Sequence, residues 1–142
     1  MSKKIVLYAV LAIVAVLLLI QLVPYGRDHS NPPVVQEPVW DSPQTEALVR
    51  SACYDCHSNE VVWPFYSNIA PFSWLVQHDV DEGRSRLNFS EWNRRQEIRE
   101  ITEIVQEGEM PPLQYKLLHK GAQLSASERA TLVQGLQATF GR

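Results

Sequence analysis

The chain has 142 residues, of which 45% are hydrophobic and 20% charged, which excludes disorder over most of its length and fits about one domain. Lys and Arg number 13 against 16 Asp and Glu, a formal charge of −3, and no basic run exists, so composition argues against nucleic acid as a partner. The two cysteines, Cys53 and Cys56, stand too close together to staple a disulfide scaffold.

Ile5 to Val23 is an apolar run interrupted by Tyr8 and Gln21. As a helix at 1.5 Å per residue it reaches about 28 Å, which matches a hydrocarbon core roughly 30 Å thick. Residues 1–23 are therefore expected to cross a membrane once. Lys3 and Lys4 should hold the amino end in the cytoplasm, which places the rest of the chain outside. A cleaved signal peptide is the alternative. Its apolar region is usually about 7–15 residues and ends at small side chains, whereas this run is longer and closes on Leu22-Val23-Pro24-Tyr25. Both alternatives export the remainder. Without Lys3 and Lys4 the acidic excess grows, which suits solubility or a partner with a basic docking patch.

Residues 24–41 read as a linker. Pro24, Pro32, Pro33 and Pro38 break any periodicity, and at about 3.1 Å per residue the segment could hold the domain up to about 56 Å from the membrane. Val34, Val35, Val39 and Trp40 are apolar enough to strap partly onto the domain, which is expected to occupy residues 42–142.

Ser42-Pro43 predicts a helix start, Ser as N-cap and Pro at the first helical position, followed by Ala47, Leu48 and Ala52 at helical spacing. Pro71 opens a second helix, with Phe72, Leu75, Val76 and Val80 on one face, to about Gly83. Ser90 is expected to cap a third, in which Trp92, Ile98, Ile101, Ile104 and Val105 face one way until Gly108 ends it. Ser125-Ala126-Ser127-Glu128 is a capping box for a fourth, with Leu132, Val133, Leu136 and Phe140 on its buried side. Nothing alternates with period two, so the fold class is mostly α, with loops at 58–70 and 109–124. Asn88-Phe89-Ser90 matches a glycosylation sequon, a motif short enough to arise by chance. Asp79 to Gly83 lacks the rest of a calcium loop and reads as a solvated helix end.

The chemistry lies in Cys53-Tyr54-Asp55-Cys56-His57, the Cys-x-x-Cys-His string of c-type haem attachment. Two thiols must reach the two vinyl groups on one porphyrin edge, and an imidazole must reach the iron. Residues three and four apart share one side of a helical turn, so all three point together. Cys53 and Cys56 would hold one haem c covalently, with His57 as the proximal iron ligand. A thioredoxin-type motif would need a βαβ pattern, a zinc site would need four ligands, and a disulfide here would tie only a tiny loop.

Candidates for the other axial position are Met110, His119, His78 and His29. Met110 stands in Gly108-Glu109-Met110-Pro111-Pro112, a stiff loop in which proline pushes Met110 out of the α region. Such a loop can present a thioether, and Met/His ligation raises the haem potential. Core packing is the plain alternative for a methionine. His119 is the main rival ligand, otherwise a partner for backbone or a haem propionate. His78 reads as a surface residue and His29 as part of the linker. Tyr54, Trp63, Phe65, Tyr66, Phe72 and Trp74 are candidates for an apolar haem wall, each also explicable as plain core.

Cys53 to Asn59, followed by Trp63-Pro64-Phe65-Tyr66-Ser67-Asn68-Ile69-Ala70-Pro71, resembles the bacterial haem-binding domain family. The likeness continues through Trp74-Leu75, Asp79 to Arg84, Leu87 to Trp92, Gly108 to Pro112, Tyr115, His119 and Leu124 to Glu128. It covers nearly all of the chain after the linker. The resemblance implies a single covalent haem, a small helical cytochrome c-like fold and, commonly, an N-terminal membrane helix. The function expected is one-electron transfer on the outer face of the bacterial inner membrane, in the periplasm, by an electron carrier rather than an enzyme. Its partner would be a redox protein or a membrane complex. A haem-based sensor and a haem-relay subunit of a larger complex are the alternatives.

Overall fold

The computed structural model describes residues 2–98 and 100–141. It is 60% helical, and among the described residues there is no β-strand, as the apolar spacing predicts. The chain divides into two compact units, one of Met1–Ser30 with Trp63–Asp79 and one of Asn31–Val62 with Val80–Arg142.

In the first unit, helix α1 (Lys3–Leu19) continues through a 3-10 turn, Ile20–Leu22. No proline or glycine interrupts it, and none of its residues is buried. Lys3–Leu22 has a mean hydropathy of 3.0, which is long and apolar enough to cross a membrane. Past its end, Gly26 adopts φ +75° and lies so close to Ser73 that a Cβ would fall 2.1 Å from the Ser73 carbonyl oxygen. Trp63–Asp79 contributes a 3-10 turn, Phe65–Asn68, and the start of a long helix, Phe72–Arg86.

The second unit begins with residues 31–41, extended as the prolines require and hydrogen-bonded to the domain. Val35 and Gln36 N–H groups donate to Ser90 O at 2.9 and 3.1 Å, and Trp92 N–H returns a bond to Gln36 O at 2.9 Å. Trp40 packs on Phe89 and Phe140, whereas Val39 is 92% exposed. Helix α2 (Pro43–Ala52) starts as expected, the Ser42 hydroxyl accepting from Thr45 N–H. The single turn α3 (Tyr54–His57) follows.

Helix α4, Phe72–Arg86, does not stop near Gly83, which is buried inside it. The helix expected from Ser90 does not form until α5 (Ile101–Glu107). An N-cap serine must lend its hydroxyl and its carbonyl to its own helix. Ser90 has committed both: the hydroxyl accepts from Asn59 N–H at 2.9 Å, and the carbonyl accepts from Val35 and Gln36. Gly108, at φ +80°, closes α5 as predicted. The 109–124 loop contains a short helix, α6 (Leu113–Leu118), and a 3-10 turn, Lys120–Ala122. Helix α7 (Ala126–Phe140) carries both halves of its capping box.

The core of this unit joins Val49, Tyr54, Leu87, Phe89, Val105, Leu132 and Leu136. Phe89 is fully buried, stacked on Tyr54 and Trp92, and its burial contributes about 2 kcal/mol. Asn88 of the sequon is buried and donates to Asn59 Oδ1 at 2.9 Å, so the folded chain does not present it as a glycosylation site.

Candidate functional site

Cys53 caps α2, and its carbonyl accepts from Cys56 N–H at 3.2 Å and His57 N–H at 2.9 Å. Those bonds close the turn that sets Cys53, Cys56 and His57 on one side. The two cysteines are not joined in a disulfide. Burial, and then neighbouring Cys56, push the Cys53 thiol up to about 12, so it stays protonated in the chain without a bound group.

His57 is held from behind. Its Nδ1 lies 3.1 Å from both Gly83 O and Leu87 O. Carbonyl oxygens only accept, so Nδ1 carries the proton and Nε2 carries the lone pair. Burial lowers the imidazole pKa and favours this neutral form. A buried neutral imidazole whose second nitrogen is pinned to backbone carbonyls is oriented to bind a metal.

The carbonyls come from the last turn of α4 and from Leu87 just after it, a segment that presses directly on the Cys53–His57 turn. A Cβ at Gly83 would fall 2.4 Å from Cys56 O. Arg84 Nε donates to Ser58 O at 2.8 Å, and Phe89 N–H donates to His57 O at 2.8 Å. The obstacle at Gly83 is backbone and cannot swing away. Gly83→Ala is therefore expected to lower unfolding free energy by about 1–3 kcal/mol. It should also loosen His57, whose Nδ1 partner would move. Chemical denaturation checks the first effect, and the ligand field in the optical spectrum checks the second.

Asp55, between the cysteines, ties the turn to α6. Its Oδ2 accepts from the Tyr115 hydroxyl at 2.6 Å and its Oδ1 from Val62 N–H at 3.1 Å. Burial first, then the Asp55 carboxylate, holds the Tyr115 hydroxyl well above its usual range. Met110 sits on the loop leading into α6. Its N–H and that of Glu109 donate to Ile104 O, Lys116 Nζ donates to Gly108 O at 3.3 Å, and Pro111 is buried. The Met110 side chain remains 38% exposed, and Leu113, Leu117 and Leu118 of α6 are more exposed still. An apolar strip of this kind beside a thioether is costly to leave in water. Paired thiols, an oriented imidazole and this strip together fit a flat, apolar, iron-bearing macrocycle.

His119 ends α6. Its Nδ1–H donates to Tyr115 O at 3.0 Å, and its ring stacks on Tyr115 at 3.9 Å. His29 Nε2 approaches Gly26 O and Ser67, and its ring stacks on Trp63. His78 is exposed on α4. Tyr54 is core: it stacks on Phe89, lies under the Arg50 guanidinium and donates its hydroxyl to Glu37. Trp63, Phe65, Tyr66, Phe72 and Trp74 all belong to the first unit, where Phe65 and Phe72 pack on Tyr66.

Sequence reasoning missed Gly83, Asp55 and Tyr115. A glycine inside an otherwise helical stretch was the available signal for the first. The other two are linked across 60 residues, and nothing local marks that pairing.

A family model described as "Haem-binding domain" matches residues 15–138. No curated protein and no solved structure matches the chain.

Proposed function

Because the chain belongs to the haem-binding domain family and binds haem, we propose that it is a membrane-anchored monohaem c-type cytochrome that transfers single electrons outside the cytoplasm. Cys53 and Cys56 would hold the haem by thioether bonds, and His57 Nε2 and Met110 Sδ would bind its iron. The observation that carries this is the His57 ring, whose Nδ1–H is fixed by Gly83 and Leu87 carbonyls. When bound, the haem supplies an iron centre that accepts and releases one electron.

The protein's own residues support electron transfer. Two backbone carbonyls keep the His57 tautomer constant, and burial keeps it uncharged. Asp55 and Tyr115 join the attachment turn to the helix that follows Met110. A rigid ligand set limits reorganisation between oxidation states, which suits a carrier more than a catalyst. Lys3 and Lys4 before the apolar helix support an inner-membrane protein with its C-terminal domain in the periplasm. Its partner is a redox protein or membrane complex that exchanges one electron at a time.

One observation favours a second reading, a haem-based sensor: Met110 is 38% exposed, which is compatible with a sixth ligand that another molecule can displace. The optical spectrum of the reduced protein with and without carbon monoxide separates the two. The carrier is expected to give the same spectrum in both. A shifted Soret band at low carbon monoxide would favour sensing.

A further inference from the structure

The geometry points to a second membrane contact: the Phe65–Leu75 face of the first unit seats in the outer interface of the bilayer that α1 crosses. This rests on α1 being a retained anchor, and it adds a surface that the anchor alone does not require.

The level of the bilayer surface is set by where the apolar helix ends, and Lys3–Leu22 ends at Gln21 and Leu22. Gln21 does not trail into water. Its Nε2 donates to Ala70 O at 2.8 Å, and its Oε1 accepts from Ala70 N–H at 3.0 Å. Arg27 donates to the same Oε1 at 2.9 Å. A side-chain amide thus clamps the backbone of residue 70 at the mouth of the span. Gly26 repeats the attachment four residues after Leu22, so close to Ser73 that a Cβ there would collide with its carbonyl. His29 adds a third bond, to Ser67.

Ile69 is one residue from the clamp, hence about 3.8 Å along the chain from a residue that touches the helix end. Around that point the unit exposes Phe65 at 81%, Phe72 at 52%, Ile69 at 49% and Leu75 at 46%. Phe65, Tyr66 and Phe72 form one continuous aromatic chain with centroids 5.7 and 6.2 Å apart. In water a contiguous apolar patch of this size is unfavourable. At the headgroup level, aromatic rings are favoured on both sides of a membrane. The bilayer is already present at the position of the clamp, and no further partner has to be supplied to cover the patch.

The test uses the full, haem-loaded chain in phosphatidylethanolamine–phosphatidylglycerol vesicles. A photoreactive benzoylphenylalanine is placed in turn at Leu11, Phe65, Ile69 and Phe72, and adducts are identified by mass spectrometry after illumination. These side chains are exposed, and an unchanged haem spectrum verifies that each variant is folded. Lipid adducts at Ile69 and Phe72 in yield comparable with Leu11 are expected. Lipid adducts at Leu11 together with none at Phe65, Ile69 and Phe72 would overturn the inference. So would adducts at those three positions that join the probe to haem or to the chain itself, since the patch would then be covered from within. Absence of lipid adducts at Leu11 would mean that the anchor itself is wrong, a failure recorded at a different position.

Discussion

Replacing Cys53 and Cys56 together with Ala is expected to yield a chain whose haem passes entirely into the organic phase on acid–acetone extraction. The thioether bonds are the only covalent tie proposed, so their loss leaves the iron–ligand bonds and apolar contact alone. His57 keeps its orientation in this variant, because the carbonyls of Gly83 and Leu87 that fix it belong to the end of α4 and the residue after it rather than to the cysteines. Some haem should therefore still bind, reversibly and with concentration-dependent stability. Cys53 also packs against the core of Val49, Tyr54 and Phe89, so the variant loses about 1–2 kcal/mol in the chain itself. Thermal unfolding with and without added haem separates the two contributions. Haem that stays with the polypeptide after acid–acetone in this variant would mean that another side chain holds it.

Met110→Ala is expected to open the iron to carbon monoxide and to lower the reduction potential. A thioether stabilises ferrous over ferric iron. Axial ligands command roughly 0.8 V, within which a fall on the order of 100 mV is expected here. The fold should survive, since Met110 is 38% exposed and partly exposed side chains away from the core cost about 0.5 kcal/mol. His119→Ala should do neither, because the His119 ring is stacked on Tyr115. Potentiometry and carbon monoxide titration on both variants settle the ligand. If His119→Ala opens the iron and Met110→Ala leaves it closed, the pair is His57 and His119, and the potential should lie lower.

Much of the fold was legible because its signals are local. Ser42-Pro43 and Ser125 to Glu128 satisfy backbone donors within one turn, and both helices start where these residues stand. Ser90 offered the same local signal and misled, because residues 31–36 take its carbonyl from more than fifty positions away. Helix α6 was invisible for a different reason. Its six residues are too few for a periodic stripe, and Leu113, Leu117 and Leu118 are exposed instead of packed. The rule that glycine ends helices fails at Gly83, which lies inside α4 and instead provides close approach to the Cys56 backbone. The Cys-x-x-Cys-His string is visible in the sequence because its residues are adjacent along the chain. The control of His57 is not, because the two carbonyls that fix its tautomer lie 26 and 30 residues downstream.

The proposed covalent attachment at Cys53 and Cys56 is the central claim, and mass spectrometry of the unmodified protein tests it most directly. The denatured polypeptide is predicted to exceed its sequence mass by one haem, and the added mass should map to the peptide containing Cys53 to His57. A polypeptide at its bare sequence mass, isolated from protein that carried haem before denaturation, would contradict it.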